Sequence, residues 1–133
     1  MHTGLQGTHD FIVTKAHLAS SVGSGQVDVL ATPMMITAME YTAAASAAPV
    51  LEAGRTTVGT QISVSHIAAT PEGMKVHVET ELTEISPNGR LLTFQVRAYD
   101  EAGLIGEGSH QRAVVDKARF EAKAAAKNGV SKV

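Results

Sequence analysis

Cysteine is absent from the 133 residues. That excludes a disulfide framework, a thiolate nucleophile and a cysteine-type zinc site. The formal net charge is only −2, and no segment gathers Lys and Arg on one face, so nothing electrostatic calls for nucleic acid. The six histidines show neither H-E-x-x-H nor another paired metal spacing, and no metal is expected. There is no G-x-S-x-G elbow, which removes an α/β-type serine hydrolase. Gly23-Ser24-Gly25 and Gly106-Glu107-Gly108 do not continue as dinucleotide or P-loop fingerprints. The first ten residues, MHTGLQGTHD, have neither a basic nor an apolar region. No secretory signal is expected there, and a cytoplasmic location is the expectation.

What is present fits an ordinary globular chain, with 44% hydrophobic and 18% charged residues. The length supports one domain with a real core and not two. The most unusual stretch runs from Val29 to Leu51, where Glu40 is the only formal charge. It is long enough to span a bilayer. Pro33, Pro49, the central Glu40 and a majority of weakly hydrophobic Ala and Thr argue for a buried core helix instead, and no membrane is expected.

Thr32 followed by Pro33 reads as a helix start, because Thr can cap and Pro lacks only an N–H that needs no partner there. The helix is expected from Pro33 to about Ala48, stopped by Pro49. It is apolar nearly all round and so calls for cover on most sides. Before it, residues 9–19 read as a first strand, and SSVGSGQVDVLA as a loop marked by Gly23 and Gly25. After it, four strands follow. Residues 56–69 alternate with Val58, Thr60, Ile62, Val64 and His66 on one face. Residues 73–85 turn Met74, Val76, Val78, Thr80 and Leu82 inward, and residues 90–100 turn Leu92, Phe94, Val96 and Ala98 inward. Pro87-Asn88-Gly89 is a hairpin signal, and residues 104–115 form the last strand. A helix from Asp116, its cap, to Gly129 beyond its end closes the chain. The economical arrangement is α+β: one antiparallel sheet curved around the long helix. One sheet is too little cover for that helix, and dimerisation would supply the rest.

Three side chains stand out chemically. Glu40 shares a helical stripe with Ile36, Ala43, Ala44 and Ala47, with no basic residue nearby on its own helix. A carboxylate held in an apolar site is a candidate general base or nucleophile. The alternative is a glutamate at a helix edge that reaches solvent or an arginine. His66 falls on the inward parity of its strand, either as a hydrogen-bonded core residue or as a proton carrier for a carboxylate or a water. An inward His and an inward Glu each solve the other's burial. Thr32 is either a cap or a site residue. It lies eight residues from Glu40, about 12 Å along one helix, so a site holding both combines two subunits or spans an extended ligand. His110 and Arg112 share a face of the last strand. There Arg112 is either an anion ligand or half of a surface salt bridge.

The runs A-T-P-M-M-I-T-A-M-E, V-G-T-Q-I-S-V-S-H-I-A-A-T-P-E-G-M and G-E-G-S-H-Q-R-A-V-V-D resemble the hot-dog-fold thioesterases, in the group related to fluoroacetyl-CoA thioesterase. The resemblance extends from Thr8 to about Lys127, which makes 1–133 a single domain with a core of about 8–127. It implies a five-stranded antiparallel sheet around the central helix, and a homodimer or higher homo-oligomer with acyl-CoA sites at the subunit interface. By motif it assigns Thr32, Glu40 and His66 as catalytic and Gly59 and Arg112 as substrate-binding. It implies no cofactor beyond the coenzyme A of the substrate. The fluoroacetyl-specific member carries a longer, phenylalanine-containing gate before its threonine. Here that stretch is SVGSGQVDVLAT, shorter and without Phe, so a general short-chain acyl-CoA is the expected substrate. An acyl-CoA hydratase or dehydratase of the same fold, or a non-catalytic acyl-CoA-binding protein, are the competing expectations.

Overall fold

The structure is a computed structural model, and its described residues run from Met1 to Gly129. The last four positions of the expected 1–133 domain lie outside them. Five strands form one antiparallel sheet in the order β1-β3-β4-β5-β2. They are β1 (Gln6–Ile12), β2 (Arg55–His66), β3 (Lys75–Ile85), β4 (Leu91–Asp100) and β5 (Gly103–Asp116). The long helix α2 (Thr32–Ala47) packs against β1, β2, β3 and β4. This is the α+β arrangement expected from the element order, and it is the five-stranded sheet around a central helix that the resemblance to the hot-dog thioesterases implies.

Alternation is cleanest where the strands are central. Val76, Val78, Thr80 and Leu82 of β3 and Leu92, Phe94, Val96 and Ala98 of β4 are all buried, which is the period-two pattern of a sheet with one wet face. Met35, Ala38, Met39, Ala43 and Ala47 of α2 lie against them. Between β3 and β4, Gly89 adopts φ +73, a left-handed value that suits glycine. Asn88 Oδ1 accepts the Arg90 N–H at 3.0 Å and completes the hairpin.

One expectation needs correction here. The first strand ends at Ile12 and does not continue to residue 19. The Thr14 N–H donates to His17 Nδ1 at 2.9 Å and the His17 N–H to the Thr14 carbonyl at 3.0 Å. Together they wind Lys15–His17 into a 3-10 turn, and a one-turn helix α1 (Ala19–Val22) follows. The sheet-facing side of α2 is buried while Thr37, Tyr41 and Ala45 are exposed, as expected of a helix that one sheet covers too little. The sheet therefore covers one face of the helix and leaves the other open. Helix α3 (Lys117–Ala125) is capped by Asp116, whose side chain accepts the Arg119 N–H at 2.9 Å. Among the described residues no helix is long and apolar enough to cross a membrane.

Candidate functional site

The side chains singled out in the sequence fall into two clusters within one chain. The first sits at the N-terminus of α2. Thr32 Oγ1 lies 2.7 Å from His66 Nδ1, so the hydroxyl at the start of the helix meets the last residue of β2. Thr32 is not a cap: the N-cap is Ala31, which makes no side-chain capping bond. The Met34 and Met35 N–H groups both close onto the Ala31 carbonyl, at 3.0 and 3.1 Å. Pro33 has no N–H to give, so among the described residues the Thr32 N–H is left as the open donor of this first turn.

His66 Nε2 is buried and has no hydrogen-bond partner among the described residues. Buried polar atoms are normally satisfied, and each exception needs an explanation. Burial holds His66 below its ordinary pKa, with the nearby Ala68 backbone offsetting part of that pull. Outside this pair opens a groove of about 330 Å³, lined among others by Val27, Leu30, Thr32, His66, Ile67 and Ala69. Its lining sets apolar side chains beside the polar Thr32 and His66, as small-molecule sites tend to do.

The second cluster lies eight residues along the helix. Glu40 is not the lone buried charge that its neighbours suggested. Its side chain is 42% exposed, and its Oε2 stands 3.9 Å from Arg112 Nη1. Its cationic neighbour in the chain is thus Arg112, and the pairing with His66 expected from burial does not form within one subunit. Arg112 in turn is not on the surface, since its side chain is 9% exposed. Its Nε donates to Thr57 Oγ1 at 2.8 Å and its Nη2 to the Thr57 carbonyl at 2.9 Å. Its Nη1 lies 3.1 Å from His110 Nε2. His110 Nδ1 is 2.8 Å from the Gln61 carbonyl. A carbonyl can only accept, so Nδ1 carries the proton and Nε2 accepts from Arg112. Burial first, then Arg112, pulls His110 below its ordinary pKa, against the Gln61 carbonyl and Glu40. Burial also lowers the Arg112 pKa, with Glu40 opposing it.

Gly59 completes the cluster. A β-carbon there would stand 2.8 Å from Glu40 Oε2, 3.3 Å from His110 Cε1 and 3.6 Å from Arg112 Nη1. Simple alternation put Gly59 and Thr57 on the outer face, with Val58 and Thr60 inward. The pairing of β2 with β5 slips between Gly59 and Gln61. That β-bulge at Thr60 reverses the parity of everything before it. Thr57 is therefore buried and meets Arg112, while Ile62, Val64 and His66 beyond the bulge keep their inward parity. Thr57, and the service of His110 to Arg112, were not legible from spacing alone. Among the described residues, no group of three His, Cys, Asp or Glu is placed to hold a metal ion.

In chemical terms the first cluster offers a hydroxyl on an imidazole whose other nitrogen is unspent. The second offers a carboxylate oriented by a fixed guanidinium, with backbone at glycine clearance beside it. Comparison with known proteins fits this chemistry. The sequence model of the fluoroacetyl-CoA-specific thioesterase family matches residues 13–118. A fluoroacetyl-CoA thioesterase of Streptantibioticus cattleyicolor is 40% identical over 129 residues, covering 92% of this chain and 91% of that protein. A solved structure of the fluoroacetyl-CoA thioesterase FlK superposes with a TM-score of 0.88 at 37% identity, covering 96% of this chain and 97% of the other. A Thermus thermophilus thioesterase-superfamily protein gives 0.87 at 28% identity, over 96% and 93% of the two chains.

Proposed function

The chain belongs to the fluoroacetyl-CoA-specific thioesterase family, and on that premise we propose that it hydrolyses a short-chain acyl-CoA to the free acid and CoA. It is a thioester hydrolase, and Thr32, Glu40 and His66 are the residues that carry the reaction. The observation behind this assignment is the 2.7 Å contact of Thr32 Oγ1 with His66 Nδ1, beside an Nε2 that nothing among the described residues satisfies.

If the Thr32 hydroxyl donates to Nδ1, the ring proton sits on Nε2 and needs an acceptor. Glu40 of a second subunit has the right chemistry for it. Strand β2 favours such a partner, because it is a 12-residue strand at the sheet edge with one row of backbone groups unpaired. The open face of α2 favours it too. We therefore read the protein as a homodimer or higher homo-oligomer, each site joining Thr32 and His66 of one subunit to Glu40, Gly59 and Arg112 of another.

In the reaction, Glu40 removes a proton from water, whose oxygen attacks the thioester carbonyl, or attacks that carbon itself to form an anhydride that water then hydrolyses. The oxyanion gathers on the open Thr32 N–H, because the Thr32 hydroxyl is committed to His66 Nδ1. The C–S bond then breaks, and His66 Nε2 gives its proton to the departing thiolate and regains one from the water by way of Glu40. No cofactor enters beyond the coenzyme A of the substrate. The segment 20–31 ahead of Thr32 contains no Phe and leaves Val27 exposed, which supports an acyl pocket with no phenylalanine gate from this segment and no preference for fluoroacetyl-CoA. A cytoplasmic setting and one domain across residues 1–133 belong to the same reading.

The test is thiol release from acetyl-, fluoroacetyl-, propionyl-, butyryl- and phenylacetyl-CoA. Turnover of the short acyl groups without preference for fluoroacetyl is expected. Absence of release with every one, together with tight CoA binding, would mark a binding protein. Water addition to crotonyl-CoA without thiol release would mark a hydratase.

A further inference from the structure

Arg55, Arg90, Arg119 and Lys123 line a single groove of about 460 Å³ between the end of β5 and α3, together with Phe120 and Asp116. The chain as a whole is acidic, yet four of its eleven Lys and Arg residues converge here. The local field therefore opposes the net charge. The one acid of the groove is engaged already, since Asp116 caps α3 through the Arg119 N–H at 2.9 Å. Among the described residues, Arg55 pairs only with Glu52, at 3.7 Å and largely in solvent. Among the described residues, Arg90, Arg119 and Lys123 are in no ion pair. Cations held around a concavity repel one another, and an anion with several charges relieves that repulsion.

The groove does not stand alone. Arg55 also lines a second groove of about 250 Å³ under Tyr41, Ala44 and Ala48 of α2, which ends at Thr57. Thr57 holds Arg112 by its hydroxyl and its carbonyl, and Arg112 faces Glu40. The two grooves meet at Arg55 and together make a track from the basic cluster to Thr57, beside the Arg112–Glu40 pair. From Gly59 to Arg55 is four residues of strand, roughly 13 Å, a span that an extended pantetheine arm covers. Phe120 is 45% exposed at the far end and presents a face on which a purine can stack.

Resting on the acyl-CoA reading above, the geometry points to this groove as the subsite for the nucleotide end of coenzyme A. Arg55 and Arg90 face the pyrophosphate, Arg119 and Lys123 take the ribose phosphate, and Phe120 stacks on the adenine. Phosphate on guanidinium is a charge-assisted, two-point contact, so the subsite grips the carrier and leaves the acyl group to the other end of the track.

The test compares CoA, 3′-dephospho-CoA and pantetheine as ligands of the wild-type protein and of the double variant R119E/K123E, by calorimetry at fixed ionic strength. K15E serves as a control for net charge. CoA should bind wild type about tenfold or more tighter than pantetheine. R119E/K123E should lose that margin with pantetheine affinity unchanged, and K15E should keep it. A smaller loss for dephospho-CoA would assign the ribose phosphate to Arg119 and Lys123. CoA affinity equal to that of pantetheine, or a loss shared by K15E, overturns the subsite. If acyl-CoA turnover persists in that event, only the subsite falls. If wild type neither binds CoA nor releases thiol from any acyl-CoA, the functional reading falls with it.

Discussion

A β-carbon on residue 59 would stand 2.8 Å from Glu40 Oε2, so the bare backbone of Gly59 and the carboxylate of Glu40 are fitted to each other across the sheet–helix boundary. Gly59 does not have a positive φ, so alanine is conformationally allowed there and only the clearance is lost. The atom it would meet is the far end of a flexible side chain, which can move. Gly59→Ala should therefore keep the fold, within about 1 kcal/mol of wild-type stability. Turnover should fall on the order of a hundredfold, because a carboxylate displaced by about an ångström is misaligned for its reaction. Gly108→Ala is the contrast. Its β-carbon would lie 2.0 Å from the Ser63 carbonyl oxygen, where backbone cannot yield without parting β2 from β5. That variant should lose about 3 kcal/mol, the upper end of ordinary overpacking. Urea midpoints beside thiol-release rates separate the two outcomes.

The proposed reacting groups make a sharper demand. Glu40→Gln and His66→Ala should each cut kcat by roughly a hundredfold to ten-thousandfold, with far-ultraviolet circular dichroism unchanged. Thr32→Ser keeps the hydroxyl opposite His66 Nδ1 and should stay within about tenfold of wild type, whereas Thr32→Ala should fall with the others. Wild-type rates in Glu40→Gln would remove the carboxylate from the mechanism.

The sequence carried the architecture because its central strands obey a simple rule. Val76 to Leu82 and Leu92 to Ala98 alternate without interruption, and burial on one face is all that alternation encodes. The same rule misplaced Thr57 and Gly59, because a single unpaired residue at Thr60 reverses parity and no composition signal marks a bulge. Glu40 was noticeable as the one charge between Val29 and Leu51, but its neighbour Arg112 lies 72 positions on in sequence, and only the packing of α2 over the paired strands β2 and β5 brings the two together. Thr32 was ambiguous for a physical reason: a threonine before proline suits both a cap and a site. The 2.7 Å contact with His66 shows where its hydroxyl goes.

Arg112 is the least replaceable residue of the second cluster. Lysine keeps the charge but cannot reach Thr57 Oγ1, the Thr57 carbonyl and His110 Nε2 together. Arg112→Lys should cost about 2 kcal/mol of stability as those buried acceptors go unpaired. His110→Phe keeps the ring volume while stranding the Gln61 carbonyl and one Arg112 N–H. It should lower kcat through Glu40 while leaving KM closer to wild type. If Arg112→Lys is as stable and active as wild type, the hydrogen bonds to Thr57 are not what orients the guanidinium.

Acid should expose the same machinery. Burial pushes His66 and His110 below the ordinary histidine value of 6.5, so each is neutral in the folded protein at pH values where the unfolded chain is already protonated. In that interval the unfolded state binds more protons, and stability rises with pH. The contribution is lost as pH falls below 6.5 and stops changing below the folded values. His77 runs the other way. Its hydrogen bond to Asp10, ahead of that to Glu79, raises its pKa above 6.5, so its stabilisation is complete below 6.5 and disappears as pH climbs through the raised value. The variant His77→Ala removes the opposing contribution, and its urea midpoint should then fall monotonically as pH drops from 7 through 6.5. A midpoint that stays flat or rises as pH drops through that interval would mean that the buried imidazoles do not set the acid dependence of stability.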